Sequence, residues 1–259
     1  MDLGISGRTA IVCASSEGLG YGCALALGQA GVELVVNGRD PGKLEAAAKE
    51  LRRATGVAVT AVAADIGTAE GQAAVLAACP RPDILINNNG GPPFRDFREL
   101  DRAAMLSGIT TNMVTPIELI QQVLDGMAER AFGRIVNITS LSVKMPLEGL
   151  DLSSGARAGL TAFVNGIARG VAHRNVTINN LLPGSFDTKR LRQGIARRAA
   201  RLSRTEEEIA AADRADIPAR RFGTPTEFGH ACAFLCSAHA GYITGQNLLL
   251  DGGVYPAAF

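Results

Sequence analysis

Tryptophan is absent, and among 259 residues there are only three tyrosines, three histidines and five cysteines. His173, His230 and His239 each stand alone, with no second ligand or nucleophile nearby in sequence, so they read as structural or surface residues rather than as metal ligands or a hydrolytic base. Cys13, Cys23, Cys79, Cys232 and Cys236 are odd in number and scattered, which argues for reduced, buried thiols and against both a disulfide framework and a metal site. An excess of one charge is missing too. With 26 basic against 25 acidic residues the net charge is +1, which gives no general attraction to nucleic acid or to an anionic membrane. No apolar run reaches the roughly 18 residues of a membrane span, and the amino terminus lacks a basic stretch followed by an apolar one. A cytoplasmic protein is expected, with neither nucleic acid nor a membrane as partner.

What is present is alternation. Short β-branched runs at 9–14, 33–37, 57–63, 84–87, 134–138, 177–182 and 247–250 are separated by helical patterns near 18–30, 41–55, 69–78, 111–131, 153–173 and 226–237. No shift in composition marks a boundary. The pattern predicts an α/β fold, a single Rossmann-like domain over 1–259 whose doubly wound sheet has seven mainly parallel strands with helices on both faces. Ligands of such sheets bind beyond the carboxyl ends of the strands, so the residues following each strand carry the functional information.

The first of these turns is Ala14-Ser15-Ser16-Glu17-Gly18-Leu19-Gly20. A tight turn from strand to helix directs free N–H groups and the positive end of the helix dipole at one point, which suits a diphosphate. Gly18 and Gly20 fit the dinucleotide pattern, whereas Ala14 stands where its first glycine is expected. After the second strand comes Gly38-Arg39, which leaves room for a 2′-phosphate and supplies its counter-charge. NADP is therefore favoured, with NAD possible; Glu17 in the turn weighs the other way. Asp65 and Ile66 follow the third strand, and Asp65 could accept from an adenine amino group or cap the helix near Thr68. The fourth strand ends in Asn87-Asn88-Asn89-Gly90-Gly91-Pro92-Pro93, a run able to lie flat against a ribose.

From here the chain resembles the short-chain dehydrogenase/reductase family over almost its whole length, and most generally the 3-oxoacyl-carrier-protein reductase type. Asn87 to Gly90 matches the family's Asn-Asn-Ala-Gly, Asn112 its helical asparagine, and Ile138-Thr139-Ser140 its Ile-Ser-Ser. Pro183-Gly184-Ser185-Phe186-Asp187-Thr188 matches Pro-Gly-x-x-x-Thr, and Arg221 to Glu227, Tyr242 to Gly245 and Asp251 to Gly253 match carboxy-terminal landmarks. The resemblance implies a cofactor site formed by Ala14, Ser15, Ser16, Gly18, Leu19, Gly20, Arg39, Asp65, Ile66, Asn88, Asn89, Gly90, Arg157, Pro183, Gly184 and Thr188, and no metal. It also implies a catalytic serine, tyrosine, lysine and asparagine. Ser140 and Asn112 supply two, but the tyrosine position is Ser153 and the lysine position Arg157.

That departure has a chemical consequence. A serine hydroxyl is a far weaker acid than a phenol with its pKa of about 10, so Ser153 is a poor proton donor. Arg157 can hold ribose or phosphate oxygens and supply positive field, but it cannot relay a proton. Lys144, four residues beyond Ser140, is the replacement donor the sequence offers, since a desolvated lysine has a lowered pKa. Tyr21, Tyr242 and Tyr255 read as a helix start, a structural turn and a tail. The family's substrate lid corresponds to about 186–219, where basic residues from Lys189 to Arg204 precede an acidic stretch. It reads either as a selector of anionic substrates or as a solvated helix pair.

The expected function is an NADP(H)-dependent oxidoreductase acting on a small carbonyl or alcohol substrate with an atypical proton donor. The alternative is a catalytically impaired dinucleotide-binding protein acting as a sensor or assembly partner. A halohydrin dehalogenase-like reaction ranks last, because that branch, although it has the arginine, keeps the tyrosine and gives up the glycine turn. Apolar residues on more than one face of the helices at 111–131 and 153–173 fit a homo-oligomer, and the resemblance implies a tetramer or dimer.

Overall fold

The computed structural model describes residues 2–92 and 94–257, so Pro93 of the asparagine-glycine-proline run lies outside the described residues. Seven strands form one sheet: β1 (Thr9–Val12), β2 (Glu33–Gly38), β3 (Val59–Ala63), β4 (Ile84–Asn87), β5 (Gly133–Ile138), β6 (Val176–Pro183) and β7 (Asn247–Leu250). Their order is β3-β2-β1-β4-β5-β6-β7, and every pairing is parallel. The order reverses between β1 and β4, so a crevice opens at the carboxyl ends of those two strands.

Alternation along the strands divides the core. Val12, Val36, Ile84 and Ile86 face one layer, made by α1 (Gly18–Gln29), α2 (Pro41–Thr55) and α9 (Pro225–Cys236). Ile11, Val35, Leu85 and Ile135 face the other, made by α3 (Ala69–Ala78), α5 (Thr115–Glu129) and α6 (Asp151–Val171). The helix starts are legible chemically: Asp40 caps α2, Thr68 caps α3, and Thr224 with Glu227 forms a reciprocal capping box on α9. All five cysteines are buried thiols distributed through these layers.

Two contacts fix the frame around the crevice. Helices α1 and α9 touch backbone to backbone. A Cβ on Gly22 would lie 2.1 Å from the Pro225 carbonyl oxygen, and one on Gly229 would lie 2.1 Å from that of Gly22. Across the sheet, Asn87, Asn137, Asn180 and Asn247 occupy one register line of β4 to β7. Each amide donates to the carbonyl oxygen of the next side chain, at 2.9, 2.9 and 2.8 Å. A one-residue slip of any of these strands breaks that chain of hydrogen bonds.

The helix expected over 111–131 is instead a π-helical turn at Thr110–Val114 that runs into α5, and a helix that was not expected, α4 (Arg102–Ile109), precedes it. The turn inserts one wider loop of backbone where Asn112 sits, a device often found at functional positions. A further helical pair, α7 (Lys189–Leu202) and α8 (Glu206–Asp216), follows β6 and packs a small core of its own from Ile195, Ala199, Ile209 and Ala210.

Candidate active site

At the carboxyl end of β1 the chain turns sharply through Ala14, whose φ is +45°, a left-handed conformation that disfavours a side chain. Ser15 is completely buried. Its hydroxyl donates to the Val12 carbonyl at 2.7 Å and accepts from the Asn37 N–H at 3.1 Å, so it anchors the turn to β2 and is not free to hold a ligand. Asn88 donates its amide to the Ala14 carbonyl at 3.2 Å, tying the turn to the loop after β4. Gly20 has no choice of residue, since a Cβ there would lie 2.3 Å from the same carbonyl oxygen. Gly18 has φ +64°, and the nearest group a Cβ would meet is the Thr188 methyl at 3.7 Å. The Glu17 side chain makes no capping bond. The first-turn N–H groups of α1 therefore lack a side-chain partner and face a concave surface without side-chain bulk, which fits a diphosphate.

Around this cradle the outer contacts separate. Gly38 lies against Ser16, whose Oγ would be 3.3 Å from a Cβ there, and Arg39 next to it is exposed with no carboxylate paired to it among the described residues. Asp65 does not cap α3; Thr68 does, and Asp65 Oδ1 accepts from the Gly67 N–H at 2.9 Å. Ile66 is buried in the core, so only its backbone could touch a nucleotide. Leu19, Pro183 and Gly184 are half-buried. Gly184 donates its N–H to the Leu250 carbonyl at 2.8 Å, and Thr188 caps α7.

The chemical corner lies between β4, β5 and α6. Asn87, Asn88, Asn89, Asn112, Ile138 and Arg157 line a cavity of about 10 Å³, which is about the space of one water. Asn112 is buried and donates to the Gly108 carbonyl at 3.2 Å, while its Oδ1 and that of Asn87 have no protein partner. Arg157 is 8% exposed. Its Nη1 donates to the Ile138 carbonyl at 2.6 Å and its Nε to Ser153 Oγ at 3.3 Å, so the two residues that replace tyrosine and lysine are bonded to each other. Burial, then the Arg190 charge, pull the Arg157 guanidinium down to about 10, still far too high for proton exchange at neutral pH. Asn89 and Gly90 complete the floor, with Asn89 Oδ1 accepting from the Gly90 N–H.

Ser140 stands at the end of β5, where its Oγ accepts from the Ser142 N–H at 3.1 Å and its own hydrogen is left to donate. Lys144 is exposed, so the burial that would have made it a ready proton donor is not found. Its ammonium instead stands over the Tyr255 ring, 5.4 Å from the centroid. Sequence reasoning passed over Tyr255 as tail, yet it follows β7 and so reaches the same edge as Ser140. Its backbone N–H is held by Asp251 Oδ2 at 2.7 Å. Tyr242 precedes β7 at the opposite edge, and burial and Glu50 raise the Tyr21 pKa. No group of histidine, cysteine or carboxylate residues among those described could hold a metal ion, and no helix among them is long and apolar enough to cross a membrane.

Comparison with known proteins points in one direction. Residues 13–255 match the family model described as Enoyl-(Acyl carrier protein) reductase. The NADPH-dependent reductase BacG of Bacillus subtilis is 31% identical over 258 residues, covering 96% of this chain and 98% of its own. The 3-oxoacyl-(acyl-carrier-protein) reductase FabG of Vibrio cholerae is 30% identical over 257 residues, covering 98% and 99%. Among solved structures, L-sorbose reductase from Gluconobacter frateurii complexed with NADPH and L-sorbose superposes with a TM-score of 0.94 at 27% identity, over 99% of this chain and all of that one.

Proposed function

Because the chain belongs to the short-chain dehydrogenase/reductase family, we propose that it is an NADP(H)-dependent oxidoreductase that interconverts a small carbonyl compound and its alcohol with an atypical proton donor. The observation that carries the cofactor reading is the uncapped start of α1 behind Gly18 and Gly20; Ser16 beside Gly38 and the exposed Arg39 next to it support a 2′-phosphate. Two relatives whose names or descriptions carry NADPH support the same choice.

When bound, NADPH supplies the hydride. The first-turn N–H groups of α1 hold the diphosphate, and Arg39 with Ser16 Oγ holds the 2′-phosphate. Asp65, through the oxygen that Gly67 leaves free, accepts from the adenine. Asn88, Asn89 and Gly90 would lie along the ribose, Thr188 stands beside Gly18, and Arg157 would donate to a ribose oxygen from the N–H groups not spent on Ile138 and Ser153. The Ser140 hydroxyl donates to the substrate carbonyl oxygen, which makes its carbon more electrophilic. The Lys144 ammonium, held at this edge of the sheet beside Tyr255, would supply the proton that this oxygen needs. The pair α7 and α8 forms the lid over that reaction. A homotetramer or homodimer is part of the same reading, supported by the exposed apolar side chains Met105, Leu106 and Ile109 on α4 and Phe163 on α6.

The test is titration of the purified protein with NADPH, followed by its absorbance across a panel of carbonyl compounds. Binding with turnover that Lys144→Ala abolishes is the expected outcome. Wild-type rates in that variant remove Lys144 from the mechanism. Tight binding with no turnover of any compound would instead support a catalytically impaired binding protein, a reading favoured by Arg157 being committed to Ile138 and Ser153.

A further inference from the structure

Three of the five carboxylates on α8, with Asp187 before α7, are paired to arginines of the same segment. Arg192 pairs with Asp187, Arg198 with Asp213, Arg204 with Glu208 and Arg214 with Glu207. Arg190 and Arg197 have no such partner among the described residues, and their spacing puts them two turns apart on one face of α7. The Arg190 guanidinium crosses to the loop after β4, where Nη1 donates to the Gly91 carbonyl at 3.1 Å and Nη2 to that of Pro92 at 3.0 Å. It lies so close that a Cβ on residue 91 would be 2.7 Å from Nη1. A side chain at residue 91 would have to displace the guanidinium from this pose.

The Arg190 charge reaches Arg157, a buried cation with no carboxylate partner among the described residues. Burial depresses Arg157 most and Arg190 depresses it further, while Arg190 is itself depressed by burial and then by Arg197. Each of these three cations thus feels the charge of the next, and among the described residues none of them forms a salt bridge with a carboxylate. Keeping the buried Arg157 without a carboxylate costs stability, and a ligand that brings the opposite charge to the neighbouring, more exposed Arg190 and Arg197 offsets part of that repulsion.

We propose that Arg190 and Arg197 form an anion subsite of the substrate cleft, so that the carbonyl compound taken by this protein carries a carboxylate or phosphate group. This deepens the reductase reading and rests on it for the word substrate. Arg190 suits the role because its two main-chain bonds fix the plane of the guanidinium and use two of its five N–H donors, leaving a planar fork for oxyanions. Arg197, two turns along, supplies a second charge from the outer side.

The test compares matched pairs in the presence of NADPH: pyruvate with methyl pyruvate, levulinate with methyl levulinate, and dihydroxyacetone phosphate with dihydroxyacetone. The expected kcat/KM is at least about tenfold higher for the anionic member of a pair, the factor charge-assisted hydrogen bonds supply. The preference should fall to near parity in Arg190→Gln/Arg197→Gln and survive in part in Arg190→Lys, with circular dichroism showing that each variant is folded. Titration calorimetry of the NADPH-loaded protein with the same anions reads the subsite without turnover. If no compound is reduced, the reductase reading fails by itself, and anion binding that the double variant loses still supports the subsite. Parity throughout the wild-type pairs, or no binding of any anion, overturns the proposal. So does a double variant that loses NADPH affinity yet keeps the preference, because the two arginines would then serve the cofactor's diphosphate.

Discussion

Replacing Ala14 by glycine should stabilise this protein, which is unusual for a change that adds chain freedom. The residue has φ +45° and stands where the dinucleotide turn ordinarily has glycine. Left-handed backbone costs a residue with a side chain about 1–2 kcal/mol. Against that, glycine's extra freedom in the unfolded chain costs about 0.4–1 kcal/mol. The balance favours Ala14→Gly by roughly 0.5–1 kcal/mol, which for a domain of this size raises Tm by about 1–4 °C. Thermal unfolding followed by far-UV circular dichroism measures it, tryptophan fluorescence being absent from this chain. Ala131→Gly is the control. That residue has φ +52° and is exposed, away from the crevice, so it should show a similar gain. A lower Tm for Ala14→Gly alongside a higher one for Ala131→Gly refutes the strain argument at the turn. It would mean that the Ala14 methyl contributes packing worth more than its backbone costs.

Three further outcomes follow from the frame. Gly229→Ala pushes a Cβ to 2.1 Å from the Gly22 carbonyl, a clash of backbone that cannot rotate away. It should cost about 3 kcal/mol or more and lower Tm by roughly 6–12 °C, and a near wild-type melt would show that α1 and α9 can separate freely. Asn137→Leu removes the partner of both Asn87 and Asn180 in the cross-strand chain. A loss of about 2–4 kcal/mol is expected from the urea midpoint, and an unchanged midpoint would show that the chain adds nothing to stability. The Glu227 carboxyl is held down to about 2, from an ordinary 4.5, mainly by its bond to Arg221 and then by the Thr224 N–H. Because the folded value is depressed, its stabilisation is complete above pH 4.5 and lost as pH falls toward 2. The Tm advantage of wild type over Glu227→Gln should shrink across that window, and an advantage that persists at its lower end counts against the assignment.

Much of this architecture was legible because strands with both faces covered leave apolar runs bounded by turn residues. β4 and β7 coincide with the expected ranges, while β1 stops at Val12 because the left-handed Ala14 ends the ladder early. Helix α4 was missed for a physical reason: Met105, Leu106 and Ile109 face outward, so it leaves no core-facing period to detect. The π-helical turn was invisible because its residues, Thr110-Thr111-Asn112-Met113-Val114, include no glycine or proline to mark a break in the helical pattern. At the site, Ser140, Asn112, Ser153 and Arg157 were legible through the resemblance to the family's motifs. Arg190 on Gly91 and Lys144 over Tyr255 were not, since each joins residues about a hundred positions apart that only the sheet order brings together.

The five interior thiols make this chain a recorder of its own motions. Cys13 is pushed up to about 12 by burial, and Cys232 and Cys236 are also raised, so these three offer almost no thiolate to an alkylating reagent, while burial shields Cys23 and Cys79 from it. Labelling then proceeds only through opening events, and the positions report different ones. Cys23, Cys232 and Cys236 sit in the layer where α1 meets α9, whereas Cys79 lies just past α3 on the other side of the sheet. The order in which these sites acquire mass in the presence and absence of a dinucleotide gives a map of which layer the ligand clamps shut.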